Sequence, residues 1–319
     1  MREKKQSLEE EMKEVEKTLA FHKRNKSPQG CINKLEEYYQ KLKNTQKNQG
    51  NIRQKTNKIT ASNQVIINAY KSVRDVMALP MFSTDQKIRT ENIEYNCSLR
   101  GKDRYVKVMC KEVDVGIANQ GDADIIRFAI SKIGAARNIT GDITNTVEFT
   151  RYEILKALGK GTSKREYEWL KSSIKRIGST TYETNIWTDK PNDYYFGTLA
   201  SFYITENEKK QIDRIQMVFC DPLYQHMKKN QILTIHEAIM KDSGYLKKKI
   251  IELAQVYMGK DNYWKVSLDK FREMCAYRKT NRRIRADIKR MKIPYQVEFS
   301  TDKISKIDLI TFFKNQKAS

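Results

Sequence analysis

Between Ala123 and Leu199 the chain spells a short order of elements, and between Gly244 and Phe313 it spells that order again. In the first copy, Ile125, Ile126, Ala129, Ile130 and Ile133 mark one side of a helix. Val147 and Phe149 alternate as a short strand, and Thr150 caps a second helix carrying Ile154, Leu155 and Leu158. Gly159-Lys-Gly-Thr supplies a tight turn. Ser163 with Glu166 three residues on is a capping box, opening a third helix through Trp169, Leu170, Ile174 and Ile177 that Gly178 ends. Two β-rich stretches, Thr180–Trp187 and Tyr194–Leu199, follow around an Asp189-Lys-Pro-Asn-Asp turn. In the second copy Leu246, Ile250, Leu253, Ala254 and Tyr257 face inward from a helix, and Trp264-Lys-Val is a strand. Ser267 caps a helix with Leu268, Phe271 and Met274, and Thr280 to Ile293 is a basic helix striped by Ile284, Ile288 and Met291. Tyr295–Phe299 and Leu309–Phe313 then pair as a hairpin.

Helix, short strand, helix, turn, helix, hairpin is the order of a winged helix, a helix-turn-helix with a β wing. Its repetition predicts an α+β chain of tandem winged-helix domains preceded by a mobile, partly helical N-terminal arm. The expected divisions are an arm and linker over 1–75, a first winged-helix domain over 76–214 for DNA contact, and a second over 215–319 for DNA binding. The strand Ile215-Gln-Met-Val-Phe and the short helix opened by Asp221-Pro222 are placed with the second domain. In the arm, Leu8, Met12, Val15 and Leu19 recur at helical spacing, a second helical stretch runs near Ile32 to Leu42, and the Asn-, Gln- and Lys-rich segment from Asn44 to Thr60 reads as a linker.

Charge says what such a chain meets. The formal net charge is +22, which favours nucleic acid or another anionic surface as partner and is silent about fold. Lys270 to Lys292 holds ten Lys or Arg against two acids, and Met1 to Thr60 carries another +7. In a helix-turn-helix the second helix enters the major groove with its N-terminal residues at the base edges. That puts Lys279, Thr280, Asn281, Arg282 and Arg285 nearest to bases or flanking phosphates, with Arg283 a further DNA-binding candidate on the same helix. Lys289, Arg290 and Lys292 suit phosphate neutralisation. In the first copy the equivalent residues are Lys160, Thr162, Ser163, Lys164 and Arg165 at the turn, with Lys171, Lys175 and Arg176 along the helix. The aromatic hairpin Tyr182, Trp187, Tyr194, Tyr195 and Phe196 reads as sheet packing, with a turn near Lys190 within reach of a groove or phosphate.

No catalytic residue, metal site or cofactor is expected. Gly159 to Ser163 imitates a phosphate-binding loop, but the motif needs Gly where Ile154 stands and Ser or Thr where Gly161 stands. A metal-dependent tyrosine nickase needs clustered His or acidic ligands, and none is legible. The five cysteines (Cys31, Cys97, Cys110, Cys220, Cys275) are scattered and read as free thiols of a reducing cytosol. No apolar run approaches the length of a membrane-spanning helix, and Met1 to Lys17 has no secretory apolar core. A cytoplasmic protein without membrane partners is the expectation.

Several stretches resemble the plasmid replication initiator protein A family: Leu79-Pro-Met-Phe, Ile93-Glu-Tyr, Gly121-Asp-Ala-Asp-Ile-Ile, Phe149-Thr-Arg-Tyr-Glu-Ile-Leu-Lys-Ala-Leu-Gly-Lys-Gly-Thr and, most closely, Tyr167-Glu-Trp-Leu-Lys-Ser-Ser-Ile-Lys-Arg-Ile-Gly-Ser-Thr-Thr-Tyr-Glu-Thr-Asn-Ile. The resemblance runs from about Val76 to Phe299. It implies a cytoplasmic initiator that binds repeated sites (iterons) in double-stranded plasmid origin DNA, helps to open the origin and recruits the host replicative helicase or its loader. It also implies two winged-helix domains, the first (76–214) tied to dimerisation, and a homodimer in part of the cycle, with dimers repressing their own gene and monomers initiating. A tandem winged-helix transcriptional repressor is the alternative that uses the same contacts.

Overall fold

The structure, a computed structural model, describes residues 15–18, 20, 36, 39, 40, 43, 67 and 69–315, apart from 100, 189, 191, 209, 230, 237, 238, 241 and 243. It divides into two compact bodies, Met1–Gln64 and Val65–Ser319. In the first, the described residues are helical, and the Tyr39 hydroxyl donates to the Glu16 carboxylate at 2.9 Å. Of the apolar stripe only Val15 is described. Leu8, Met12 and Leu19, the expected linker over 44–60, and Cys31 lie outside the described residues.

The second body begins with β1 (Lys71–Val73), α1 (Arg74–Ala78), β2 (Ile93–Leu99) and β3 (Lys102–Cys110). A first module follows: α2 (Ala123–Thr140), β4 (Thr146–Thr150), α3 (Arg151–Ala157), α4 (Lys164–Ser179), β5 (Thr180–Thr184), β6 (Tyr195–Gly197), β7 (Ala200–Glu206) and β8 (Ile212–Phe219). After α5 (Asp221–Lys228) and β9 (Ile232–Thr234) comes the second: α6 (Tyr245–Met258), β10 (Tyr263–Ser267), α7 (Leu268–Met274), α8 (Asn281–Arg290), β11 (Tyr295–Thr301) and β12 (Asp308–Lys314). The modules share one topology. Each sets the strand before its helix pair beside the last strand of its hairpin, in the orders β4-β8-β7 and β10-β12-β11, all antiparallel. The fold is thus mixed α+β, with antiparallel sheets and winged-helix-like modules.

Local chemistry accounts for the helix starts. Thr150 accepts from the Glu153 amide, Ser267 from Lys270 and Thr280 from Arg283, each oxygen satisfying a first-turn N–H. Ser163 departs from the expected capping box: its hydroxyl donates to the Glu166 carboxylate and caps no backbone amide. Gly178 does not end α4, which runs on to Ser179 with Thr180 as its cap. Gly159 does take the left-handed conformation, φ +65°, that lets the chain turn between α3 and α4.

The larger correction concerns the first wing. The aromatic hairpin is not it. β5 is buried along most of its length and pairs with β3 on one side and β6 on the other, in a sheet ordered β2-β3-β5-β6. Trp187 and Tyr195 meet edge-on there, 5.4 Å between centroids. The wing is β7–β8. Its second strand begins at Ile212 and pairs with both β4 and β7, so the expected division after residue 214 falls inside a strand of the first module.

Aromatic packing fixes the cores. Phe128 of α2 meets Phe149 of β4 edge-on at 5.3 Å. Trp264 of β10 is stacked between Tyr257 of α6, 4.9 Å away, and Phe312 of β12, 5.4 Å away. Helix α6 is buried around much of its circumference, as expected of a helix packed on more than one side. One side faces its own module. The other carries Lys248, Lys249 and Glu252 into a dry ionic cluster with α2.

In that cluster the Arg127 guanidinium, only 2% exposed, bonds Asp124 at 2.6 Å and Glu252 at 2.7 Å. Gln120 and Lys248 complete it, Lys248 on Asp124. Lys249 donates to the Met77 and Leu79 carbonyls at 2.7 and 2.6 Å, and burial pushes its ammonium down to about 8.

The segment after α1 braces the second module as well. Leu79, Met81 and Phe82 are core residues. Thr84 donates to the Cys275 carbonyl at 2.9 Å and Arg89 to the Ala276 carbonyl at 2.8 Å. Both carbonyls lie in the turn between α7 and α8, where Ala276 has φ +50°.

Candidate nucleic-acid interface

Helix α8 buries Ile284 and Ile288 and turns Arg282, Arg283, Lys289 and Arg290 outward. Positions 282 and 289, and 283 and 290, are seven apart, so the four form two stacked pairs on one face. Ala286 lies between the pairs, where its methyl leaves the surface low. Asp287, the helix's one acid, is turned aside: it accepts from Arg283 at 3.1 Å and from the Tyr277 hydroxyl at 2.5 Å. The outer face is therefore cationic without an exposed acid.

The residues expected to meet bases or phosphates divide into two groups. Lys279, Arg282, Arg290 and Lys292 are exposed and make no hydrogen bond or ion pair among the described residues. Thr280 is committed to its cap, and Asn281 donates to Asp269 at 2.7 Å. Arg285 is drawn into the module: it bridges Asp308 of β12 at 3.1 Å and lies over the Phe299 ring of β11 at 5.3 Å. Lys289 stands over the same ring at 5.8 Å. Arg285 thus ties helix to wing.

In the first module α4 exposes Lys164, Arg165, Lys171 and Lys175, interrupted by Glu168. Thr162 is exposed in the preceding loop. Lys160 lies over the Trp169 ring at 4.1 Å, the Ser163 hydroxyl is held by Glu166, and Lys175 pairs with Glu112 at 3.0 Å in solvent. Arg176 faces inward, its Nε and Nη2 each 2.8 Å from the buried Asp122 carboxylate at the start of α2. Burial alone would lower that guanidinium's pKa, but the Asp122 bonds outweigh it and the value is raised. Arg176→Ala should lower stability by about 2 kcal/mol in urea unfolding, leaving a buried carboxylate short of a partner. The salt dependence of any DNA binding should not change.

Ala286 and the tip of the second wing, where Lys303, Ile304 and Lys306 are exposed, escaped the sequence reading. The isolated Ile304 between lysines was their one visible signal. Among the described residues no group of three or more His, Cys, Asp or Glu is placed to hold a metal ion. No described helix is long and apolar enough to cross a membrane.

Comparison with known proteins adds a family. The pattern for "Replication initiator protein A" matches residues 71–296, most of the chain. A protein named as a replication protein in Wigglesworthia glossinidia brevipalpis is 29% identical over 186 residues, spanning 54% of this chain and 68% of that protein. Domains 2 and 3 of RctB, seen in a crystal structure, align with TM-score 0.54 at 12% identity over 77% of this chain and 99% of theirs, a likeness of fold alone.

Proposed function

The chain belongs to the replication initiator protein A family, and from that premise we propose that it is a plasmid replication initiator whose two modules act as tandem winged helices on repeated sites in duplex origin DNA. The observation that carries this reading is the outer face of α8, with Arg282, Arg283, Lys289 and Arg290 around Ala286 and no exposed acid. Helix α4, at the same place in a module of the same topology, offers Lys164, Arg165 and Lys171. Arg282, in the first turn of α8, is placed for guanine O6 and N7, and the Ala286 methyl for a thymine methyl. Lys289, Arg290 and Lys292 serve phosphates. Bound in this way, the protein promotes opening of the origin and recruits the host helicase or its loader, and a homodimer forms in part of the cycle.

Footprinting on the plasmid that carries the gene tests this. The expected result is protection of tandem direct repeats beside an A·T-rich segment. Protection confined to one palindrome in a promoter would instead assign the chain to transcriptional repression.

A further inference from the structure

The second wing ends in a six-residue tip, 302–307, built as a rigid point. Asp302 Oδ1 accepts from the Ile304 amide at 3.1 Å, the Ser305 amide at 2.7 Å and the Ser305 hydroxyl at 2.8 Å. The Asp302 amide donates to the Ile307 carbonyl and the Lys306 amide to the Asp302 carbonyl, at 2.9 and 3.0 Å. Lys306, at φ +58°, closes the turn. The tip's one carboxylate is therefore spent on its own backbone, and those bonds hold its pKa below the usual range. The tip presents Lys303, Ile304, Ser305, Lys306 and Ile307 outward, with Ile304 94% exposed and Ile307 45%.

Exposed isoleucines are ordinary, but Ile304 is aimed. At the root of the tip Thr301 donates to Asp308 Oδ1 at 2.9 Å, while Asp308 Oδ2 holds Arg285 of α8. Phe299 lies beneath both Arg285 and Lys289. The tip is thus fastened to the helix assigned to the major groove and cannot swing away independently. The first module's wing has no counterpart, since Asn207, Glu208 and Lys210 stand at its tip.

We propose that Ile304 is an apolar wedge that enters the minor groove beside the major groove read by α8 and partly unstacks a base step, with Lys303 and Lys306 on the bordering phosphates. This rests on the duplex-binding reading given above. Apolar side chains inserted from the minor groove kink and loosen DNA. An initiator that must open a duplex gains from such a residue at each site it occupies.

The test uses the full chain with two synthetic duplex polymers, poly(dG-dC) and poly(dI-dC). These share a major-groove pattern, but only guanine puts an N2 amino group in the minor groove, where it obstructs a wedge. The wild type should bind poly(dI-dC) more tightly, on the order of 5-fold, the value of partly burying one isoleucine. Ile304→Ser should lose that preference while keeping its affinity for poly(dG-dC) and its thermal midpoint. Lys303→Ala should weaken binding to both polymers equally and preserve the preference. Equal preference in Ile304→Ser and wild type, or none in wild type, overturns the wedge but leaves duplex binding standing. Failure of the wild type to bind either polymer overturns duplex binding, and the wedge with it.

Discussion

Glu252→Ala should cost about 3–5 kcal/mol of folding stability, read as a fall in the urea midpoint. The carboxylate lies in a dry cluster, 2.7 Å from a guanidinium that is itself fully buried. Removing it leaves Arg127 with Asp124 and Gln120, and Asp124 is already shared with Lys248. An uncompensated charge in a water-free site is among the few causes of losses this large, and the loss is a sizeable part of the roughly 5–15 kcal/mol that holds a typical domain folded. The paired replacement Arg127→Met with Glu252→Met should cost less than Glu252→Ala alone, because it deletes both charges and fills the space. If the double variant were the less stable, the cluster would contribute net stability through more than mutual neutralisation. The effect should reach both modules together, since Arg127 belongs to α2 and Glu252 to α6.

Arg282→Ala should weaken binding to the preferred site by roughly 10- to 100-fold at fixed salt and relax the preference at one base pair. Nothing described in the fold holds Arg282, so its removal should leave the thermal midpoint in place. Lys289→Ala with Lys292→Ala should act differently. Affinity for all sequences should fall, and the slope of log K against log salt should become shallower by about 0.9 per lost phosphate contact. Measured side by side across a salt series, the two variants distinguish a base-reading end of α8 from a phosphate-reading end. The same response in both would mean that the helix lies in the groove with another orientation. Arg285→Ala belongs to neither class, because its guanidinium fastens α8 to Asp308 and Phe299.

What the sequence disclosed and what it concealed follow from the range of the interactions involved. Thr150 and Ser267 were legible as caps because a cap is settled within four residues. The hairpin β11–β12 was legible because its strands are neighbours in the chain. The first wing was not, because β5 and β6 do pair as a hairpin while the strand that draws them into another sheet, β3, lies seventy or more residues before β5. Gly178 looked like a stop, yet a glycine costs a helix interior only about 1 kcal/mol, and the burial of Ile174 and Ile177 outweighs it. Nothing local marks Lys248 and Lys249, within a run of lysines, as interior; only the approach of α2 and of the Met77 and Leu79 carbonyls makes them so. Within the candidate site, basic residues were recognisable by type. Arg176 and Arg285 differ from Lys164 and Arg282 only through acids, Asp122 and Asp308, that are remote in sequence.

The brace that Thr84 and Arg89 place on the Cys275 and Ala276 carbonyls limits how this protein can be cut and recombined. The turn that aims α8 is held by chain laid down before the first module begins, and Lys249 is anchored there too, on Met77 and Leu79. A hybrid that borrows the second module from about residue 245 onward would receive α8 without its mounting. The transferable piece is discontinuous: residues 71–99 have to travel with the C-terminal module, and any exchange of that module between relatives has to carry both segments.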